Sequence, residues 1–455
     1  MQNPTIIKSI NPYTNEVLKE YNAFTPSVVQ EKLNLSSTAY KAWKDTSFSK
    51  RKDLFYKLAS LLEERVEVYA TLISNEMGKP LAQAISEVKK CATVCRYYAD
   101  NAADFLSPKP IKTEAYKSYV QYESQGAILG IMPWNFPFWQ VFRFSVPAIM
   151  AGNVAVLKHA SNVFGAAVAI EQVYKDAGFP EAVFTNLLIP SKEVEQVIAN
   201  SHITGVILTG SEKAGSIVAS QAGRNLKKSV LELGGSNAMI VMDDCDIDSS
   251  IEACIQGRYL NTGQSCIAGK RLLVHKNIAD LFIDKLIARV GELISGNPLD
   301  AETFIGVLAR EDLAVKLEEQ VNASVEMGAE VLIGGKRDGA FYAPSVLTQV
   351  RVDMPVFKEE VFGPVLPIIP FNTLEEAIEI SNATDFGLGV SIFTKNTAYI
   401  EKYISKFDEG CVFINDFVKS HPNLPFGGIK RSGYGRELSK DGIMEFVNKK
   451  TVFIK

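Results

Sequence analysis

Cys266 sits in the run NTGQSCIAGKR at 261–271, beside Ser265 and between Gly263 and Gly269, where backbone can approach a ligand closely. That makes it a better nucleophile candidate than Cys254, which lies in the apolar pattern IEACIQG. A cysteine attacks as its thiolate, so the site needs a helix N-terminus, a cation or a general base beside it. Glu232 is the candidate base, because it lies near the end of the apolar run KSVLEL and precedes Gly234-Gly235, a turn that can carry a carboxylate into a cleft. The four histidines, His159, His202, His275 and His421, occur singly and read as solvated or internally satisfied. Acid–base chemistry therefore falls to carboxylates.

Other motifs are tested and set aside. GSEKAG at 210–215 has the glycine span of a P-loop but is followed by Ser216, so no lysine reaches a terminal phosphate and ATP hydrolysis is not expected. ELGGSNAM at 232–239 approaches a serine-nucleophile elbow, yet Ala238 replaces its last glycine and a strand follows. No GxGxxG follows a strand-like run, and no paired CxxC or His cluster suggests zinc. Gly210 and Ser211 do fall between a strand-like run and a helical one, where free N–H groups and a helix dipole suit a pyrophosphate. An ordinary N-cap remains the alternative. PWNFPFWQVFRF at 133–144 gathers aromatics, two prolines, Asn135 and Arg143 and reads, by itself, as a rigid turn into a core helix.

The elements that must position these groups are legible as periodicities. Apolar positions recur helically through 26–43, 48–75 and 81–104, so the first hundred residues read as helical, opened by a Thr25-Pro26 cap. From Gly126, short Ile/Val/Leu runs at 126–132, 153–158, 182–188, 203–208 and 228–233 alternate with helical stretches, the pattern of a doubly wound parallel sheet. Between them 109–124 alternates polar and apolar residues like an exposed antiparallel ribbon that pairs with another subunit. A second alternating region follows Ser236, with a helix near 278–294 and a strand at 329–333, and two α/β units place a cleft between them.

Composition bounds the partners. The 455 residues carry 48 Lys plus Arg against 52 Asp plus Glu, a net charge of −4, which offers neither nucleic acid nor a membrane surface an electrostatic handle. The first ten residues lack the basic start and apolar core of a signal peptide, so a cytoplasmic location is expected. Six cysteines are too few for a disulfide framework, and five of them, Cys91, Cys95, Cys245, Cys254 and Cys411, read as reduced and inert.

Taken in order, PWNFPFW, LKHAS, TGSEKAG, LELGG, GQSC, EEVFGP and PFGGIKRSGYGRE resemble the aldehyde dehydrogenase superfamily over essentially the whole chain. Within it, FWQVFRF, LKHASN and HPNLPFGGIKRSGYGREL are most similar to bacterial succinate-semialdehyde dehydrogenases that accept NAD(P). The resemblance implies an α/β fold of the aldehyde dehydrogenase kind: a Rossmann-like NAD(P) domain (1–105 and 125–233), an α/β catalytic domain (234–445) and a small β oligomerisation ribbon (106–124 and 446–455). It implies Cys266 as nucleophile forming a thiohemiacetal and then a thioester, Asn135 as oxyanion donor with the Cys266 N–H, and Glu232 as the base for hydrolysis.

The same resemblance places Trp134, Lys158, Ser161, Gly210, Ser211, Leu233, Glu360 and Phe362 at the cofactor. Many NAD-preferring members carry Glu where Ser161 stands, so NADP as well as NAD is expected. It places Arg143, two helical turns beyond Asn135, with Trp139 and Ser420 around the carboxylate of a semialdehyde, with succinate semialdehyde ahead of glutarate semialdehyde or an aliphatic aldehyde. It implies a homodimer or homotetramer. A thiol hydrolase using Cys266 would need a paired histidine, and none has a recognisable motif.

Overall fold

The computed structural model describes residues 5–455; the first four residues of the segment read above for a signal peptide lie outside them. The chain opens with an antiparallel hairpin, Ile6–Ile10 against Val17–Asn22, which corrects the expectation that the first hundred residues are helical throughout. Its turn is local chemistry: the Asn11 side chain accepts from Tyr13 N at 2.8 Å, and Asn15 takes φ 61°.

Four helices follow: α1 (Pro26–Trp43), α2 (Phe48–Glu64), α3 (Val66–Met77) and α4 (Leu81–Phe105). Thr25 caps α1 by accepting from Val28 N, with Pro26 in its first turn, and Ser47 caps α2. The periodicity at 48–75 spans two helices rather than one. They part at Arg65, which carries no glycine or proline signal but is drawn into an ion pair with Asp176.

These helices pack on a six-stranded sheet of order Gly433–Tyr434, Lys228–Glu232, Ile203–Thr209, Ala127–Met132, Val154–His159 and Phe184–Asn186. Its strands are parallel except the first, which pairs antiparallel so that Gly433 lies opposite Glu232. A seven-stranded sheet, ordered Glu330–Ile333, Ser345–Thr348, Val365–Phe371, Gly269–His275, Asn237–Val241, Val390–Phe393 and Val412–Ile414, forms the second unit. It is parallel apart from its first pair. The third sheet is small: Val447–Ile454 pairs along its length with Lys117–Ser124, which also pairs with Lys109–Pro110.

Helix α5 (Trp139–Met150) lies between sheet and helices, and all twelve of its residues are buried. Its N-terminus is held by Glu87 of α4, whose Oε1 accepts from Phe138 N at 2.9 Å and Trp139 N at 3.0 Å. Glu87 also pairs with the buried Lys79 ammonium. Among the described residues no helix is long and apolar enough to cross a membrane.

Candidate active site

Cys266 follows a backbone turn that few residues adopt. Asn261, Thr262 and Gly263 take φ of 57°, 55° and 72°, a left-handed run that costs a β-branched threonine most. Side chains hold it. Asn261 Nδ2 donates to Asn135 O at 2.8 Å, Gly306 N donates to Thr262 Oγ1 at 3.1 Å, and Ala309 N donates to Gln264 Oε1 at 2.9 Å. On the other side, a Cβ at Gly235 would stand 2.8 Å from the Cys266 carbonyl oxygen, so only glycine lets the turn after Glu232 pass.

Cys266 lines two cavities that meet at it, one of about 460 Å³ and one of about 730 Å³. Burial pushes its thiol up to about 11, Lys270 and Arg143 pull it down, and Glu360 and Glu232 push it further up. At neutral pH the resting group is a thiol. The remaining cysteines are also free, and desolvation raises each of them.

Asn135 is buried, with its amide fixed from both ends: Nδ2 donates to Gln264 O at 3.0 Å and Oδ1 accepts from Gln140 Nε2 at 3.0 Å. Its second N–H is left for a ligand oxygen. Gln140 lines both cavities and was not singled out by sequence, although a lone amide in an otherwise apolar helix was a signal.

Glu232 ends its strand as read, but the turn after it does not carry the carboxyl into either cavity wall. Both carboxyl oxygens are buried without a hydrogen-bond partner, and one packs where a Cβ on Gly427 would lie. Burial raises its proton affinity well above a normal carboxylate, the Glu437 charge raises it again, and Arg143 and Arg436 oppose this.

Of the expected cofactor residues, Trp134, Gly210, Ser211, Leu233, Glu360 and Phe362 line the larger cavity, whereas Lys158 and Ser161 do not. Gly210 N donates to Glu232 O, so it is not a free anion donor as expected; Ser211 instead caps the helix Glu212–Arg224 by accepting from Ala214 N. Trp134 and Phe362 meet edge to face at 5.8 Å. Glu360 accepts from Lys270 Nζ at 3.0 Å and Gly235 N at 3.1 Å, and the same ammonium donates to Cys266 O at 2.8 Å. Lys270 thus ties the two sites together, a link across ninety residues that no local pattern announces. Lys158 Nζ donates to Ser191 Oγ at 3.2 Å, no carboxylate pairs with it among the described residues, and burial pulls it down to about 8.

Trp139, Arg143 and Ser420 line the smaller cavity. Arg143 is not wholly free to serve it. Its Nε lies 2.5 Å from Glu437 Oε2 and its Nη2 donates to Thr209 at 3.3 Å. Glu437 closes the quoted PFGGIKRSGYGRE segment, whose pairing beside Glu232 brings it here. Lys90 of α4, which sequence reading missed, donates to Ser420 Oγ at 2.8 Å. Of the histidines, His159 is satisfied in the core, Nε2 donating to Pro137 O at 2.8 Å. Among the described residues no cluster of three His, Cys, Asp or Glu side chains could hold a metal ion.

Two α/β units carry a strained turn that places the Cys266 thiol on both cavities, with the buried Asn135 amide on one of them. The aldehyde dehydrogenase family model matches residues 1–452, and the chain belongs to that family. It is 44% identical over 451 residues to a probable succinate-semialdehyde dehydrogenase [NADP(+)] of Synechocystis sp., covering 98% of this chain and 99% of that protein. It is also 44% identical over 454 residues to succinate-semialdehyde dehydrogenase [NADP(+)] 1 of Mycobacterium tuberculosis, with the same coverage. The crystal structure of succinic semialdehyde dehydrogenase from Streptococcus pyogenes in complex with NADP+ superposes with a TM-score of 0.96 at 37% identity, covering 98% of this chain and 99% of that one.

Proposed function

We propose that the chain oxidises succinate semialdehyde to succinate with NADP+ as hydride acceptor, NAD+ being accepted as well. The observation that carries this is the position of Cys266 on both cavities, one edged with cations and a hydroxyl and the other lined by the cofactor residues. Its relatives' names agree with it.

The Cys266 thiol gives its proton to water in the cavity, and the sulfur, as thiolate, attacks the aldehyde carbon; the C=O π pair moves to oxygen, which the second Asn135 N–H and the Cys266 N–H receive. The nicotinamide cofactor, when bound, supplies the hydride acceptor that turns this adduct into a thioester. Glu232 then takes a proton from water, hydroxide adds to the thioester carbon, and the sulfur leaves as thiolate with the carboxylate product. For this the Glu232 side chain must rotate away from Gly427, and it must first lose the proton that its burial favours.

The residues fit a dinucleotide phosphate. Lys158 lies outside the lining of the larger cavity and has no acidic partner among the described residues; with the Ser191 hydroxyl it holds and Ser161, three residues on in sequence, it would take a 2′-phosphate that extends beyond that cavity. Glu360 holds a ribose only by sharing its carboxylate with Lys270. The chain works as a homo-oligomer built through the ribbon of Lys117–Ser124 and Val447–Ile454. Steady-state rates with semialdehydes of different chain length and both cofactors test the reading. A catalytic preference for glutarate semialdehyde or for a neutral aldehyde contradicts the substrate, and a strong preference for NAD+ contradicts the cofactor.

A further inference from the structure

Lys90 is a cation facing the substrate cavity without a partner of opposite charge. Its Nζ donates to Ser420 Oγ at 2.8 Å and stands 4.2 Å above the Trp139 ring, whose Nε1 donates to the same oxygen at 3.1 Å. Ser420 therefore receives two hydrogen bonds, and its own hydroxyl proton is left to donate. No carboxylate lies within ion-pairing distance of Lys90 among the described residues. Glu87, one turn away on α4, is committed to Lys79 and to the N-terminus of α5. The other groups that act on Lys90 are Arg143 of α5 and Lys419, both cations, and the buried Cys91 thiol.

A half-buried ammonium without a counter-ion in reach either gives up its proton more readily or takes an anion from outside, and the cavity that Lys90 lines beside Ser420 has room for such an anion. Arg143 differs in having a carboxyl beside it, Glu437 Oε2 at 2.5 Å from its Nε, although burial raises the proton affinity of that carboxyl. We propose that Lys90, with the Ser420 hydroxyl, is a further anchor for the terminal carboxylate of the substrate, so that preference for an ω-carboxylated aldehyde depends on this ammonium as well as on Arg143. This rests on the semialdehyde reading above. Two N–H groups of the ammonium and the serine O–H converge as donors, and the Trp139 face fixes the lysine while its ring covers the substrate methylenes.

The test is the ratio of kcat/KM for succinate semialdehyde to that for pentanal, with NADP+, in the wild type, Lys90→Met and Lys90→Arg. Loss of a charge-assisted contact lowers the ratio in Lys90→Met by about 10–100-fold, chiefly through KM for the acid, and Lys90→Arg recovers most of it. Because burial, with Arg143 next, pulls Lys90 down to about 8, the wild-type ratio falls as pH rises through that value, while Lys90→Arg holds it. Changes at Cys266, Glu232 or Lys158 affect both substrates and cancel in the ratio. A Lys90→Met ratio within about twofold of wild type overturns the anchor. So does the same alkaline fall in Lys90→Arg. A wild-type enzyme that does not prefer the acid aldehyde removes the semialdehyde reading, and the anchor falls with it.

Discussion

Among single residues, the reaction turns on how two proton-bearing groups lose their protons. Glu232 is buried and unpartnered among the described residues, with its proton affinity raised by burial and then by Glu437, and its proposed task as base is the later hydrolytic step. Replacing Glu232 by Gln should leave the first turnover and stall the second: stopped-flow traces should show a burst of about one reduced nicotinamide per active site followed by a slow phase. A uniform slowing without a burst would place Glu232 before hydride transfer instead. Lys158 gives a second test. Its ammonium is charged below about 8 and neutral above, so the kcat/KM preference for NADP+ over NAD+ should shrink as pH rises through that value. A pH-independent preference would remove Lys158 as the phosphate contact. The place of Cys266 at a cavity was legible from the small polar residues around it, whereas Asn135 was read from its own run only as part of a rigid turn, and Glu232 lies outside both cavity walls. Lys270, Glu437 and Lys90 were not legible, because their partners lie 90, 294 and 330 positions away and only the fold joins them.

At the scale of elements, the site depends on how α5 is held. Its first-turn N–H groups are satisfied by a carboxylate from α4, and that carboxylate is neutralised by Lys79, a lysine that is 1% exposed. Glu87→Gln keeps an acceptor for the helix but leaves the Lys79 ammonium buried alone, which should cost about 3–5 kcal/mol, read as a lowered denaturation midpoint. Adding Lys79→Met should recover part of the loss, and strictly additive losses would deny the coupling. The helices and the parallel strands were legible from period and caps: Thr25-Pro26 does open α1. The break at Arg65 was not, since it answers to Asp176 on a distant helix and not to any local residue. The amino-terminal hairpin escaped because helical periodicity was extended over a segment whose turn signal, NPYTN, points elsewhere.

For the whole molecule, the ribbon is the feature that one chain does not complete. Val447–Ile454 pairs on one side only, and Phe453 is 51% exposed at that edge. Phe446 and Val447 are buried and belong to the core, so removing residues 449–455 should spare the fold and shift the sedimenting species toward the 50.0 kDa protomer. An unchanged assembly would assign the contact to another face. The net charge of −4 does not bear on the proposed roles of Lys90, Arg143 and Lys158, where the local sign of charge decides. The central claim, that Cys266 between two cavities makes this chain an NADP-linked dehydrogenase of succinate semialdehyde, meets its most direct test in the initial rate of NADPH formation with that aldehyde for wild type and Cys266→Ala. The account predicts saturable turnover that vanishes in the variant while NADP+ still binds. No NADPH from the wild type, or equal rates from both proteins, would contradict it.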